Sequence, residues 1–193
     1  NQKNTTRNPD ESTNKSGKIP NIIRNKPGTI LEQSGKLKKI QELCLSKNIM
    51  ISTAESCTGG YLSKLFTDIS GSSKFYVGSV IAYSNSVKNE LLNVPIDTLE
   101  KYGAVSKEVS LLMAEGIFNS IKSEIAISTT GVMEPDSSTG SKKPQVFITI
   151  KSEKSYVSSH FYLHDERDTN RKKTVNHALD CLYDFINNHY LVS

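Results

Sequence analysis

The chain has no tryptophan, and only 7% of its 193 residues are aromatic. Its three cysteines, Cys44, Cys57 and Cys181, are odd in number, and no two are spaced like a pair of metal ligands. That excludes a disulfide framework and a zinc-type site, and it fits free thiols in a reducing cytosol. No run of 18 apolar residues occurs, which excludes a transmembrane helix. Charge of one sign is scarce as well. The net charge is +4, and residues 1–34, with six Lys or Arg against three Asp or Glu, carry +3 of it. The +1 left for the rest gives no basic footprint for nucleic acid.

The same 34 residues have no aromatic side chain, and their only strong apolar residues are Ile19, Ile22, Ile23, Ile30 and Leu31. Asn, Ser, Thr, Lys and Pro crowd the remainder. Such a segment buries too little apolar surface to offset the entropy of ordering. Residues 1–34 are therefore expected to be a disordered polar tail or linker. They also lack the apolar core of a secretory signal, and the expected location is cytoplasmic. Residues 35–193 are enough for one domain with a substantial core.

That domain alternates helix-like and strand-like runs. A helix is expected over 36–46, with Leu37, Ile40, Leu43 and Cys44 on one face. Strand-like Ile49 to Thr53 follows, then a helix over 60–67 and a turn at Gly71-Ser72-Ser73. Phe75 to Tyr83 reads as a strand. Short helices are expected over 87–92 and from a capping box at Asp97 to Glu100. Ser106 caps a longer helix to about 121. Ile125 to Thr129 reads as a buried strand and 131–144 as a polar loop. Residues 145–151 and 156–163 form a hairpin turning at Glu153-Lys154, and a last helix runs over 168–188. Early alternation and a late hairpin imply an α/β domain of three layers, α/β/α, with a mixed sheet and helices on both faces.

One octapeptide stands out: Thr53-Ala54-Glu55-Ser56-Cys57-Thr58-Gly59-Gly60. It joins a strand-like run to a helix-like one. A serine on such a turn is exposed, and the unpaired N–H groups of the helix start can hold an oxyanion. On spacing alone the ordinary reading, a helix N-cap serine or threonine, comes first. Cys57 is a rival nucleophile at the same turn, with no His near it in sequence. All four histidines, His160, His164, His177 and His189, come late. His160 and His164 lie about 13 Å apart if both are on one strand, which argues against a metal site. A desolvated lysine is the other base available to a serine, and Lys88 lies just past the strand that ends near Tyr83.

Further segments follow in order: Ala82-Tyr83-Ser84-Asn85-Ser86-Val87-Lys88, Gly103-Ala104-Val105-Ser106, Met113-Ala114-Glu115-Gly116 and Thr129-Thr130-Gly131. Together with the octapeptide they resemble the nicotinamide-mononucleotide deamidase family, also called the CinA C-terminal domain, over roughly residues 36–190. The resemblance implies the same three-layer fold and an amidase that hydrolyses the carboxamide of nicotinamide mononucleotide. It implies Ser56 as nucleophile, Lys88 as base and Tyr83 as a relay or orienting hydroxyl. Thr58, Gly59, Thr130 and Gly131 would bind substrate. Asp165 to Arg171 resembles the family's Gly-Asp-Arg-x-x-x-Arg, which puts Arg171 in the substrate site as well. No metal or other cofactor is implied. The expected partner is a small-molecule nucleotide, with no nucleic acid and no membrane, and a homo-oligomer is left open.

Three glycines of the family pattern are replaced, the first by Asp165 at the entry to the last helix, where it bears on the position of Arg171. Glu134 replaces a glycine in the loop after Thr130, adding negative charge across 132–138, and Val146 replaces another glycine. These changes leave an alternative in place: a related nucleotide-binding protein whose altered loop weakens or abolishes turnover.

Overall fold

The computed structural model describes residues 30–135 and 143–189. Its elements in chain order are α1 (Ile30–Lys47), β1 (Ile51–Glu55), α2 (Tyr61–Thr67), β2 (Tyr76–Ile81), α3 (Asn85–Leu92) and α4 (Ile96–Tyr102). Then come α5 (Lys107–Ser120), β3 (Ile125–Val132), β4 (Gln145–Lys151), β5 (Tyr156–Tyr162) and α6 (Arg167–His189). The five strands form one sheet in the order β2-β1-β3-β4-β5. β1 runs parallel to β2 and β3, whereas β4 is antiparallel to both β3 and β5. The fold is thus α/β with a mixed five-stranded sheet.

Each face of the sheet has its own apolar core. On one side Leu37, Ile40, Leu62, Phe66, Leu179 and Phe185, from α1, α2 and α6, pack on Ile51, Ile127, Val146 and Ile148. On the other, Leu92, Leu99, Val109, Met113 and Ile117, from α3, α4 and α5, pack on Ala54 and Ala126. Every residue of β1 is buried, as expected for a central parallel strand covered on both faces. Among the described residues no helix is long and apolar enough to cross a membrane.

Several boundaries differ from the sequence pattern. α1 begins at Ile30 rather than 36, so residues 30–34 belong to a helix and not to the polar tail; residues 1–29 lie outside the described residues. β1 starts two residues late, because Asn48 takes φ +53° and Ile49 donates to the Cys44 carbonyl, which makes 48–50 a connection. α2 starts at Tyr61, since Gly60 sits at φ +92°. α3 starts at Asn85, where Ser84 Oγ accepts from Val87 N–H. The capping box at Asp97 does not form; α4 follows Pro95 with no side-chain cap. Ser106 does cap α5, accepting from Val109 N–H. β3 continues to Val132 because Gly131 and Val132 pair with Val146 and Gln145. Of the loop expected at 131–144, residues 136–142 lie outside the described residues.

The strand register decides where the site lies. Glu55, at the end of β1, stands beside Ile81 of β2 and Thr129 of β3. The carboxyl ends of β1 and β2 therefore reach the same level, and β3 runs three residues past it to Val132. Ser56 N–H donates to Thr129 O at 2.9 Å, and Ala82 N–H to Glu55 O at 2.7 Å. Ligands of open α/β sheets bind at this edge.

Candidate active site

Lys88 lies one turn inside α3, on the side facing the ends of β1 and β2. Its Nζ is 3.1 Å from Ser56 Oγ, 2.9 Å from Ala82 O and 3.0 Å from Tyr83 O. The side chain is only 1% exposed, and Ser56 is buried beside it. Among the described residues no carboxylate forms an ion pair with this amine. Burial therefore acts against its charge, and its pKa falls from 10.5 to about 8. A neutral amine has two N–H groups and one lone pair. The Ala82 and Tyr83 carbonyls can only accept, so they take both N–H groups. The lone pair is then left facing the Ser56 hydroxyl, as a general base requires.

Cys57, next to that serine, is in the opposite state. Burial pushes its thiol up to about 12, so at neutral pH it is protonated and a poor nucleophile. Cys44 is held up to about 12 by burial in the same way.

Glu55 is the residue that sequence reasoning missed. It is fully buried, and no cation pairs with it among the described residues. Its carboxylate instead accepts from Leu62 N–H and Ser63 N–H, each at 2.9 Å, from Thr58 Oγ1 at 2.7 Å, and from the Ser63 hydroxyl. The Leu62 and Ser63 donors belong to the first turn of α2, where a negative charge is favoured. Glu55 thereby ties the end of β1 to the start of α2 and fixes the turn that carries Ser56. It also corrects the expectation that the helix-start amides are open to an oxyanion. The backbone N–H groups of Cys57, Thr58 and Gly60, in the turn itself, are those that donate to no other residue among the described residues.

The other expected site residues divide into two groups. Thr58 is buried, and its Oγ1 also meets Thr129 Oγ1 at 2.8 Å. Thr130 is buried, with its hydroxyl donating to Ala104 O at 2.7 Å. Gly59, at φ +59°, is exposed on the turn. At Gly131 a Cβ would come within 2.5 Å of Gln145 O, so glycine is needed for strand contact. Thr58, Thr130 and Gly131 thus shape the site through the backbone around it.

Tyr83 and Arg171 lie further out. Tyr83 is 62% exposed, and its hydroxyl accepts from Arg167 Nη2 at 3.0 Å and not from Ser56 or Lys88. Arg167 Nη1 in turn meets Glu134 Oε1 at 2.9 Å. The first arginine of the Arg-x-x-x-Arg pair therefore bridges the β2–α3 connection to the loop after β3. Arg171, one turn on, has a buried Nε with no hydrogen-bond partner among the described residues. Asn170, fully buried, donates to the Met133 and Asp165 carbonyls and so anchors that loop to α6. A cleft of about 800 Å³ opens here, lined by Glu134, Pro135, His164, Asp165, Arg167 and Thr169. Among the described residues no group of three His, Cys, Asp or Glu is placed to hold a metal ion. His160 stacks on Phe147 and meets Gln145 Oε1.

Comparison with known proteins bears on the same stretch of chain. The family profile described as the CinA C-terminal domain matches residues 34–186. A CinA-like protein of Cytophaga hutchinsonii is 38% identical over 137 residues, which is 70% of this chain and 33% of that protein. A CinA-like protein of Leptospira borgpetersenii is 40% identical over 128 residues, 65% of this chain and 31% of that one. The chain spans about a third of the length of the curated relatives it matches. The crystal structure of competence/damage inducible protein CihA from Agrobacterium tumefaciens superposes with a TM-score of 0.75 at 30% identity, covering 80% of this chain and 95% of that one. A competence damage-inducible protein from Klebsiella pneumoniae shares the fold, with a TM-score of 0.79 at 23% identity over 81% of this chain and 98% of that one. By the extent of these matches, the chain belongs to the CinA C-terminal domain family.

Proposed function

We propose that this domain hydrolyses a carboxamide, with nicotinamide mononucleotide as substrate and nicotinic acid mononucleotide and ammonia as products. The observation that carries the reading is the buried Lys88 amine, 3.1 Å from Ser56 Oγ and with no carboxylate partner among the described residues. Ser56 Oγ attacks the amide carbon while its proton passes to Lys88. The Cys57, Thr58 and Gly60 amides of the turn are the donors left for the oxyanion. Lys88 returns the proton to the departing nitrogen, the C–N bond breaks and ammonia leaves. Water then hydrolyses the ester on Ser56, with Lys88 again taking the proton. Arg171, whose Nε has no partner among the described residues, is suited to an anionic group of the substrate. Tyr83, at the rim, orients the substrate through the hydroxyl that Arg167 holds.

A second reading rests on Glu134. Its carboxylate already engages Arg167, which favours a nucleotide-binding protein with little turnover. Ammonia release from nicotinamide mononucleotide by the purified chain separates the two. The amidase reading expects steady release that is lost in Ser56→Ala and in Lys88→Ala, with strongly non-additive losses. Binding without ammonia release supports the second reading, and absence of binding removes both.

A further inference from the structure

The turn that carries Ser56 is pinned at few points. Ser56 N–H donates to Thr129 O at 2.9 Å, while Gly59 N–H and Tyr61 N–H donate to Ser56 O and Thr58 O within the turn itself. Gly59 and Gly60 bring no side chain to hold it, and both take positive φ. Its polar side-chain anchor is the Thr58 hydroxyl, which donates to Glu55 Oε1 at 2.7 Å and lies 2.8 Å from Thr129 Oγ1. A hydroxyl has one hydrogen to give. Thr58 gives its own to the carboxylate, so between the two threonines Thr129 is the donor. The chain therefore runs from Thr129 to Thr58 to Glu55, and all three residues are buried. Its two ends differ. Glu55 holds Thr58, Leu62 and Ser63, which lie 3, 7 and 8 residues from it, so it ties the turn to its own stretch of chain. Thr129 stands on β3, 71 residues from Thr58. Among the described residues, the hydrogen bonds from this turn to β3 all pass through Thr129, by its carbonyl and by its hydroxyl.

We propose that Thr129 is a positioning residue for the reaction at Ser56: through Thr58 it holds the turn whose Cys57, Thr58 and Gly60 amides receive the oxyanion. The inference rests on the acyl-transfer reading of Ser56 given above. Oxyanion donors lower a barrier when they are in place before the charge forms. A turn with two glycines has wide conformational freedom of its own, so that fixity has to come from outside it. The sheet supplies it. Lys88 is set by the Ala82 and Tyr83 carbonyls just past the end of β2, and β1 lies between β2 and β3. A turn tied only to its own stretch of chain is free to shift against Lys88. One tied to β3 shifts only by breaking a buried hydrogen bond, which is costly. Thr129 itself makes no hydrogen bond to Ser56 Oγ or to Lys88 among the described residues. Its effect therefore falls on the chemical step and not on substrate binding. The same chain reassigns Thr58, which the resemblance puts among the substrate-binding residues: its one hydroxyl hydrogen is committed to Glu55.

Two assays on the full chain test it. In the first, ammonia release from nicotinamide mononucleotide gives kcat and KM. Thr129→Val keeps a β-branched shape suited to a strand and lacks the hydroxyl. It should lower kcat by about tenfold or more, since a misplacement of about 1 Å costs up to about a hundredfold, and should leave KM within about twofold. Thr129→Ser keeps the donor and should restore most of kcat. The second assay needs no amide: an alkyl fluorophosphonate labels Ser56, followed by mass spectrometry. Ser56 Oγ bonds to phosphorus, the P–F bond breaks, fluoride leaves and Lys88 takes the serine proton. The labelling rate should fall in Thr129→Val and recover in Thr129→Ser. Should Thr129→Val fail to fold, Thr58→Val and Thr58→Ser decide. The valine variant should lower kcat at constant KM and the serine variant restore it, whereas a substrate-binding Thr58 would raise KM. A parent that is labelled at Ser56 but releases no ammonia removes the nicotinamide mononucleotide reading alone, and the labelling rates then decide the role of Thr129. A Thr129→Val chain as fast as the parent overturns the proposal. So does a loss confined to KM or to Tm, a serine variant as slow as the valine one, or a parent whose Ser56 reacts in neither assay.

Discussion

Replacing Lys88 by methionine tests its proposed state without any substrate. In the folded chain the amine titrates near 8, against 10.5 when solvated. Below pH 8 it is charged in both the folded and the unfolded chain, so folding bears the full cost of burying the charge. Above 10.5 it is neutral in both states and that cost is gone. Between the two the unfolded chain binds more protons, so stability rises with pH. At about 1.4 kcal/mol per pH unit, the lowering corresponds to about 3 kcal/mol. Lys88→Met has no such group. It leaves the Ala82 and Tyr83 carbonyls unpaired, a cost that does not depend on pH. The quantity to follow is therefore the unfolding free energy of the parent minus that of the variant, from urea melts at half-unit steps between pH 7 and 10.5. Other titrating groups cancel in this difference. It should rise by about 3 kcal/mol, mostly above pH 8. Two curves that run parallel across the range would refute a buried lysine with a lowered pKa.

Three other outcomes follow from the same geometry. Glu55→Gln turns an amide toward the Leu62 and Ser63 N–H donors and should cost about 2 kcal/mol or more in a urea melt; an unchanged midpoint would mean that the carboxylate does not hold the turn. Glu134→Gly frees Arg167 and should tighten binding of nicotinamide mononucleotide by up to about fivefold at low salt, the most an exposed ion pair is worth. The unphosphorylated riboside should gain less in the same calorimetric titration, and equal gains would place the loop away from the phosphate. At Gly116 a Cβ would lie 2.1 Å from the Leu92 carbonyl, so Gly116→Ala should force α3 from α5 and lower Tm by several degrees; an unshifted melt would show that the two helices are not in such close contact.

Much of this architecture is legible in the residues. The alternation of periods along the chain gives the sheet and its covering helices. The order of segments brings out Ser56 and Lys88, which meet because β1 and β2 end at one level. Other parts are not legible, for physical reasons. The apolar run starts at Ile49, and an apolar pattern cannot separate a connection from a strand, so pattern alone ends the strand at Thr53. Glu55 then falls outside it, although a carboxylate at a strand end before a helix is the signal for a buried cap. Asn170 is buried because it satisfies the Met133 carbonyl, and nothing in helical periodicity marks a polar residue as inward-facing. Arg167 reaches Tyr83 across a gap in sequence of 84 residues, a contact that only the folded chain provides. Tyr83 belongs to the expected catalytic set, yet its hydroxyl lies on Arg167, because its backbone carbonyl rather than its ring faces Lys88.

The central claim is that the neutral Lys88 amine removes the Ser56 proton. The pH dependence of kcat/KM for ammonia release from nicotinamide mononucleotide tests it most directly. The account predicts a rise of about tenfold per pH unit that levels off near 8. That limb is separate from the ionisation of the substrate phosphate, which lies near 6. A rate that is flat between pH 7 and 9, or that continues to climb past 10, would contradict it.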